Sequence, residues 1–165
     1  MPILDEHSLD FVSHSPDQTR RLGVRLGELL KPGDLVLLAG DLGAGKTTFA
    51  QGIARGWGSL DPVTSPTFVL INEYRRADEA RLYHFDAFRL EDGAEAASLG
   101  LQEMIEEGGP LLIEWPERVQ SMLPEHGLWV HLRWVDDSRR ALRLEAHGVR
   151  SETLLRQFRK AAFGG

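Results

Sequence analysis

The chain has 165 residues, no cysteine and a formal net charge of −6. Its length suits one domain over residues 1–165, and the lack of cysteine excludes disulfides and cysteine-ligated zinc. The acidic excess argues against direct nucleic-acid binding, which usually requires a basic surface. No run of about 18 apolar residues predicts a membrane span, and the first six residues lack the features of a signal peptide, so we expect a cytoplasmic protein.

The first third of the chain alternates between short apolar runs and amphipathic segments. Residues 8–12 predict a strand, and Ser15 followed by Pro16 predicts the start of a helix that ends at a Lys-Pro-Gly stop. The run Leu35–Ala39 is apolar throughout, as expected of a parallel strand that is buried on both faces. A second helix is predicted from the following glycine-rich loop to about Arg55.

The remainder of the chain predicts two hairpins, two further helices and a short buried strand. Strands are predicted at 67–74, 81–88, 111–113, 128–135 and 141–146, and helices at 94–107 and near the end of the chain. The first two strands are expected to form one antiparallel hairpin and the last two another. This order predicts a three-layer α/β fold with a mixed, mainly parallel central sheet.

The segment from Gly40 to Thr47 carries the most specific motif. It reads Gly-Asp-Leu-Gly-Ala-Gly-Lys-Thr and matches the P-loop pattern, so the fold is predicted to be P-loop NTPase-like. The glycines let successive N–H groups face phosphate oxygens, Lys46 is expected to reach the β- and γ-phosphates, and the Thr47 hydroxyl is expected to ligate Mg²⁺. We therefore predict binding of ATP with Mg²⁺. The predicted contacts in this segment are Asp41, Leu42, Gly43, Ala44, Gly45, Lys46, Thr47 and Thr48.

Two acidic residues follow predicted strands where a metal ion or an attacking water would lie. Glu114 comes directly after an apolar strand in the Walker B pattern, with Glu in the usual place of Asp. It is predicted to hold Mg²⁺ or to orient the attacking water, and a solvated acid at a strand end is the alternative. Asp86 is predicted to share a strand face with His84. Its position is compatible with a role in binding Mg²⁺ or the attacking water, and equally with a turn-forming acid on a half-solvated strand. His84 by itself favours a structural role.

Two neighbouring features leave more than one interpretation open. The loop of residues 63–68 lies between the P-loop helix and the first hairpin, where P-loop proteins often sense the γ-phosphate through a hydroxyl. An ordinary turn with capping hydroxyls explains the same residues. Trp115 follows Glu114 and suits shielding of the site, contact with a partner or core packing.

Four segments, in this order, closely resemble the TsaE family, the bacterial ATPase of tRNA threonylcarbamoyladenosine biosynthesis. They are Gly40 to Thr48, Thr64 to Phe68, His84 to Arg89 and Ile113 to Glu117, and the resemblance runs from about residue 15 to about residue 145. It implies ATP hydrolysis in support of the TsaB–TsaD complex, which modifies tRNA. The tRNA would then be reached only indirectly, through that complex.

Carried over residue by residue, the resemblance assigns roles within the site. It implies that Lys46 and Thr47 bind phosphate and Mg²⁺, and that Glu114 is the second, acidic Mg²⁺ ligand. It implies that Asp86 is needed for hydrolysis and that Thr67 contacts the nucleotide from a switch-like loop. The predicted catalytic residues are therefore Asp86, Glu114 and Lys46. The family often has Tyr at the position of Phe88, a loss that should matter little if the ring only packs.

Two other activities remain as alternatives. A small-molecule P-loop kinase would need an arginine-rich lid, which Arg75, Arg76 and Arg81 mimic although they lie around a hairpin turn. A GTPase switch is disfavoured because neither Asn-Lys-x-Asp nor Asp-x-x-Gly occurs in the sequence. No arginine is marked by the sequence as a finger for the transferring phosphoryl group.

Overall fold

The fold is built on a mixed sheet with helices on both of its faces. The computed structural model describes residues 3–4, 7–61, 71–90 and 100–164. Its strands are β1 (Ile3–Leu4), β2 (Ser8–Ser13), β3 (Leu35–Ala39), β4 (Ile71–Arg75), β5 (Arg81–Asp86), β6 (Leu111–Glu114), β7 (Gly127–Trp134) and β8 (Arg140–His147). Its helices are α1 (Pro16–Gly27), α2 (Lys46–Trp57), α3 (Leu101–Glu107) and α4 (Val149–Phe163), with short 3₁₀ turns at Pro116–Arg118 and Gln120–Met122.

The eight described strands form one sheet in the order β1-β2-β8-β7-β3-β6-β5-β4. The inner block β7-β3-β6-β5 is parallel throughout. The pairs outside that block are antiparallel, and the two predicted hairpins, β4–β5 and β7–β8, are among them. This arrangement confirms the predicted mixed sheet with parallel strands at its centre.

Helices cover both faces of the sheet, which confirms the three layers. On one face, Val36 and Leu38 of β3 pack with Phe49 of α2 and Phe158 of α4. On the other face, alternate β3 residues such as Leu37 pack in a second cluster that contains apolar residues of α3. Because β3 contributes to both cores, its sequence is apolar at every position. None of the described helices is long and apolar enough to cross a membrane.

Most element boundaries agree with the sequence, and the differences have local causes. Ser15 caps α1 by accepting a 3.0 Å hydrogen bond from the Gln18 backbone N–H. Strand β5 ends at Asp86 rather than at residue 88, because the Asp86 carboxylate accepts from the Phe88 N–H at 2.9 Å and turns the chain. Residues 3–4, for which the sequence predicts no strand, pair with β2. The predicted strand residues 67–70 and helix residues 94–99 lie outside the described residues.

Helix α4 is tied to the loop that leads into β3. The Arg150 guanidinium donates to both carboxylate oxygens of Asp34 at 2.9 Å and to the Leu29 carbonyl at 3.0 Å. Asp34 is almost fully buried, so its charge requires this partner. The helix therefore stabilises the segment that precedes the P-loop strand.

Helices α1 and α2 approach each other closely because glycines line their contact. A Cβ atom at Gly52 would lie 2.1 Å from the Arg20 carbonyl oxygen, and one at Gly27 would lie 2.0 Å from the Ile53 carbonyl oxygen. Only backbone fits between the helices at these points. Since α2 begins at Lys46, this contact also fixes the end of the glycine-rich loop.

We expect Gly52→Ala to lower the free energy of unfolding by about 1–3 kcal/mol, the usual cost of overpacking. Alanine favours a helix over glycine by about 1 kcal/mol, but here the added methyl group would meet a backbone carbonyl that cannot move aside. Denaturant unfolding measures the change, and Arg55→Ala on the exposed face of the same helix serves as the control. Equal stability of Gly52→Ala and the wild type would contradict the close contact.

Candidate functional site

A cavity of about 390 Å³ opens at the carboxyl ends of β3, β5 and β6. This is the edge of a parallel sheet at which α/β proteins bind their ligands. The cavity brings the P-loop and both predicted acids together. Its lining consists of Leu42, Gly43, Ala44, Gly45, Lys46, Thr47, Thr48, Asp86, Phe88, Arg89, Glu114, Trp115 and Arg140.

The register of the parallel strands places the two acids side by side. Asp86 is the last residue of β5, Glu114 is the last residue of β6, and the two are direct partners in the ladder. Glu114 is also the partner of Leu38 in β3, two residues before the P-loop begins at Gly40. Paired positions share a face of the sheet, so both carboxylates point towards the side on which α2 packs.

Glycine is required at the two ends of the P-loop for different reasons. Gly40 has a φ of +147°, and a Cβ atom there would lie 2.3 Å from the Leu132 carbonyl oxygen. Gly45 immediately precedes α2 and has a φ of +98°, in the left-handed region that favours glycine. The loop therefore keeps its curved backbone without steric strain, and its N–H groups are placed at the start of a 12-residue helix.

Lys46 is held by the loop that precedes it. Its ammonium group donates hydrogen bonds to the carbonyl oxygens of Gly40 and Asp41, the latter at 2.8 Å. The same group lies 4.3 Å from the centre of the Trp115 ring. Burial lowers the pKa of Lys46, while the nearby carboxylates, Glu114 foremost, oppose that shift.

Trp115 lies at the site and contacts the core at the same time. Its backbone is left-handed, with φ of 59° and ψ of 48°, and its N–H donates to the Leu38 carbonyl at 3.2 Å. A left-handed conformation costs a residue other than glycine about 1–2 kcal/mol, so the surrounding structure must hold it. The ring packs against Phe88 with centroids 4.9 Å apart, and Phe88 also lines the cavity.

Glu114 is not the solvated acid that the sequence left open, because its side chain is 4 % exposed. Its Oε2 lies 2.6 Å from Nε2 of His84, whose side chain is fully buried. The opposite ring nitrogen of His84, Nδ1, lies 3.0 Å from the Tyr74 hydroxyl. The structural role of His84 is therefore specific, since it joins the carboxylate of the site to the hydrophobic core.

Asp86 is the acid of the site whose pKa is shifted. Burial raises the pKa of Asp86, and the charge of Glu114 adds to that effect. The hydrogen bond from the Phe88 N–H and the positive charge of Lys46 act in the opposite direction. A carboxyl group with a raised pKa holds and releases a proton closer to neutral pH than an ordinary aspartate does.

The donor set fits Mg²⁺ only if a phosphate ligand completes it. Within the described residues, no group of three or more His, Cys, Asp or Glu side chains is arranged to hold a metal. The Thr47 hydroxyl and the carboxylates of Glu114 and Asp86 supply oxygen donors alone. Mg²⁺ prefers oxygen ligands and is commonly bound by one or two carboxylates together with substrate phosphates.

Arg140 lines the cavity although no sequence motif marks it. Its Nε donates to the Gly43 carbonyl at 3.1 Å, and its Nη1 donates to the carbonyls of Asp136 at 2.5 Å and Arg139 at 2.9 Å. It thereby links the β7–β8 turn to the P-loop. The two residues in contact are 97 positions apart, so local spacing carries no signal for this link. Arg89, at the end of the segment that begins with His84, also lines the cavity.

The arginines that resemble a kinase lid lie elsewhere. Arg75 pairs with Asp61, Arg76 pairs with Asp78 and Arg81 pairs with Glu73. None of the three lines the cavity, so the described structure gives no support to an arginine lid. Thr67 and the rest of the loop at residues 63–68 lie within residues 62–70, which are outside the described part of the chain.

The protein has a P-loop fold. A buried parallel strand leads into a glycine-rich loop, and a helix begins at the lysine of that loop. The sequence model of the family "Threonylcarbamoyl adenosine biosynthesis protein TsaE" matches residues 13–142. The chain belongs to the TsaE family, which takes part in tRNA threonylcarbamoyladenosine biosynthesis.

Curated relatives and a solved structure agree with this assignment. The chain is 39 % identical over 140 residues to the tRNA threonylcarbamoyladenosine biosynthesis protein TsaE of Bacillus subtilis, covering 85 % of this chain and 87 % of the relative. It is 41 % identical over 131 residues to the TsaE of Treponema pallidum, covering 79 % and 96 %. The crystal structure of Bacillus subtilis YdiB superposes with a TM-score of 0.77 at 32 % identity and covers 97 % of each chain.

The raised pKa of Asp86 predicts a pH-dependent gain in stability for Asp86→Asn. Because the folded-state pKa lies above the unfolded one, this residue's contribution to stability falls as pH rises through that interval. Asparagine removes the half-buried charge and keeps the oxygen that accepts from the Phe88 N–H. We expect a higher free energy of unfolding than the wild type at about pH 7, and a smaller difference at about pH 4.

Denaturant unfolding at the two pH values checks this expectation. Glu125→Gln, at an exposed position, is the control and should leave the pH dependence unchanged. A lower stability of Asp86→Asn at neutral pH would show that the carboxylate is better satisfied than its surroundings indicate.

Proposed function

We propose that this protein is a Mg²⁺-dependent ATPase whose hydrolysis of ATP supports the modification of tRNA by the TsaB–TsaD complex. The observation that carries the proposal is the meeting of the P-loop, Asp86 and Glu114 in one cavity at the carboxyl edge of the sheet. Membership of the TsaE family supplies the tRNA-modification context. We place the activity in the cytoplasm and assign it to one domain over residues 1–165.

Phosphate binding is the task of the loop and the first turn of α2. The backbone from Asp41 to Thr48 presents N–H groups to the β- and γ-phosphates, and the helix dipole favours their negative charge. Lys46 supplies a side-chain cation at the same place, once it exchanges the carbonyls of Gly40 and Asp41 for phosphate oxygens. Thr67 is proposed to contact the γ-phosphate from the loop between α2 and β4.

Thr47 and Glu114 are the proposed Mg²⁺ ligands, and Asp86 is the proposed base. Bound Mg²⁺ would neutralise charge on the phosphate oxygens during transfer. The Asp86 carboxylate would orient the attacking water and accept its proton, a role that suits its raised pKa. Lys46, Asp86 and Glu114 are therefore the proposed catalytic residues.

Partner dependence follows from what the chain itself provides. The net charge of −6 disfavours tRNA binding by this protein alone. The Arg140 guanidinium is engaged with the carbonyls of Gly43, Asp136 and Arg139, so it is already committed to holding the loop. A partner enzyme would bring the tRNA, and a group supplied across the interface would accelerate a reaction that is slow in the isolated protein.

Loss of the P-loop lysine should remove nucleotide binding. We expect Lys46→Ala to weaken ATP binding by at least about tenfold, equivalent to about 1.4 kcal/mol, and to abolish hydrolysis, because the principal side-chain cation of the cradle is lost. Titration calorimetry with ATP and Mg²⁺ measures the affinity. Lys160→Ala, on an exposed face of α4, is the matched control and should bind like the wild type. Wild-type affinity in Lys46→Ala would refute the assignment of the cradle.

The TsaB–TsaD complex should increase the rate of ATP hydrolysis. Phosphate release is to be measured for the pure protein, then after addition of reconstituted TsaB–TsaD, with and without tRNA. We expect slow release alone and a higher rate in the assembly, where a group supplied in trans can be worth about 10³-fold or more. Small hydroxyl-bearing acceptors added to the pure protein provide the comparison. Phosphoryl transfer to such an acceptor, without any response to the partners, would favour the kinase alternative.

A further inference from the structure

A buried chain of hydrogen bonds leads from the hydrophobic core to the carboxylate of Glu114. The Tyr74 hydroxyl lies 3.0 Å from Nδ1 of His84, and Nε2 of His84 lies 2.6 Å from Oε2 of Glu114. Tyr74 and Glu114 are each 3 % exposed and His84 is not exposed at all. Buried polar groups are costly unless they are paired, and here each of the three side chains satisfies its neighbour.

The strand order brings these side chains together. Tyr74 lies on β4 opposite Leu82, His84 lies two residues further along β5, and β6 carries Glu114 on the other side. The imidazole therefore sits between the edge hairpin and the strand that ends in the site. In the sheet, β5 and the P-loop strand β3 are the two neighbours of β6, so the imidazole contacts Glu114 from the direction opposite to β3.

Both hydrogen bonds of this series can be donated in the same direction, from Tyr74 towards Glu114. Burial raises the pKa of Tyr74 to about 12, so its hydroxyl stays protonated and is able to donate to Nδ1 of His84, 3.0 Å away. The imidazole tautomer that accepts at Nδ1 carries its proton on Nε2, and that proton points at Oε2 of Glu114. A carboxylate can only accept, so this tautomer satisfies both contacts at once.

We infer that His84, held by Tyr74, is a positioning residue that fixes the Glu114 carboxylate for metal binding. Since Oε2 is engaged by His84, the second oxygen of Glu114, Oε1, is the one left to bind a metal ion in the cavity that Glu114 lines. The contact also offsets the repulsion that Glu114 experiences from Asp86, its partner in the ladder. The inference rests on the proposed binding of ATP with Mg²⁺, and it adds a role for two residues that do not touch the nucleotide.

Two substitutions at His84 separate positioning from simple core packing. The side-chain amide of His84→Gln reaches as far as Nε2 of histidine and can still donate to Glu114. The amide of His84→Asn replaces the group at Nδ1, so it retains the contact with Tyr74 and loses the one with Glu114. A partner that orients a metal ligand in this way is typically worth about 10–100-fold in metal affinity.

The experiment measures binding rather than turnover. A non-hydrolysable ATP analogue is titrated calorimetrically into each variant, once with Mg²⁺ and once with EDTA, and the ratio of the two affinities gives the Mg²⁺-dependent part. We expect His84→Asn to reduce this ratio by about tenfold while leaving the affinity in EDTA unchanged. We expect His84→Gln to retain most of the wild-type ratio. Thermal unfolding of each variant checks that the fold is intact.

A double substitution tests whether His84 acts through Glu114. In a Glu114→Gln background, His84→Asn should produce no further loss of the Mg²⁺-dependent ratio, because the group that it positions is already changed. Additive losses would overturn the inference, as would a wild-type ratio in His84→Asn. If His84→Asn does not fold, Tyr74→Phe provides the second variant, and a ratio equal to that of the wild type would overturn the part assigned to Tyr74.

The design also separates this inference from the proposed function. If the wild-type protein binds the analogue equally well with Mg²⁺ and with EDTA, the proposed metal-dependent ATP site is wrong and the positioning role falls with it. If the wild type depends on Mg²⁺ and both His84 variants match it, the proposed function stands and the positioning role alone is wrong.

Discussion

Parallel pairing of β3, β6 and β5 decides where the P-loop and the two acids of the site lie. It aligns Leu38, Glu114 and Asp86 in one row across the sheet, where β5 and β6 end and β3 has one residue left. Because side chains alternate between the faces of a strand, a shift of β6 by one residue would turn Glu114 to the face covered by α3. The P-loop can approach both acids only because the chain leaves β3 at that same edge.

This placement brings negative charge into the site, and several groups of the protein each offset part of it. The carboxylates of buried Glu114 and half-buried Asp86 lie beside the loop that is shaped for phosphate, and phosphate would be repelled by them. Lys46 offsets some of this charge, and the hydrogen bond from His84 offsets more of it at Glu114. In the proposed complex with ATP, bound Mg²⁺ would neutralise the remainder. The cost of the arrangement appears in the raised pKa of Asp86.

The sequence predicts the fold well wherever the signal is local. The apolar run of β3 has the same limits in the structure, and alternation correctly predicted the β7–β8 hairpin, because both features arise from burial of successive residues. The P-loop is contiguous and was equally visible. Placement of Asp86 beside Glu114 agrees with the expectation that both serve one site, although their chemical roles remain predictions.

Contacts between distant residues account for what the sequence did not predict. Arg140 reaches Gly43 across 97 positions, and its place depends on how the β7–β8 turn folds over the loop. His84 looked merely structural when considered alone, since nothing in its neighbourhood along the chain indicates the contact with Glu114, 30 residues away. The two-residue strand β1 is too short to give a periodic pattern, and only backbone pairing with β2 reveals it.

The contacts of Lys46 bear on which anions the loop can accept. Its ammonium group is already satisfied by two carbonyl oxygens and the face of Trp115, so an entering anion must compete with the loop itself. A single phosphate replaces these contacts with few others and gains little. A chain of phosphates would gain more contacts than Lys46 gives up, because it would also engage the N–H groups along the loop and at the start of α2. At the proposed nucleotide site, the resting contacts of Lys46 would therefore favour a nucleotide over orthophosphate.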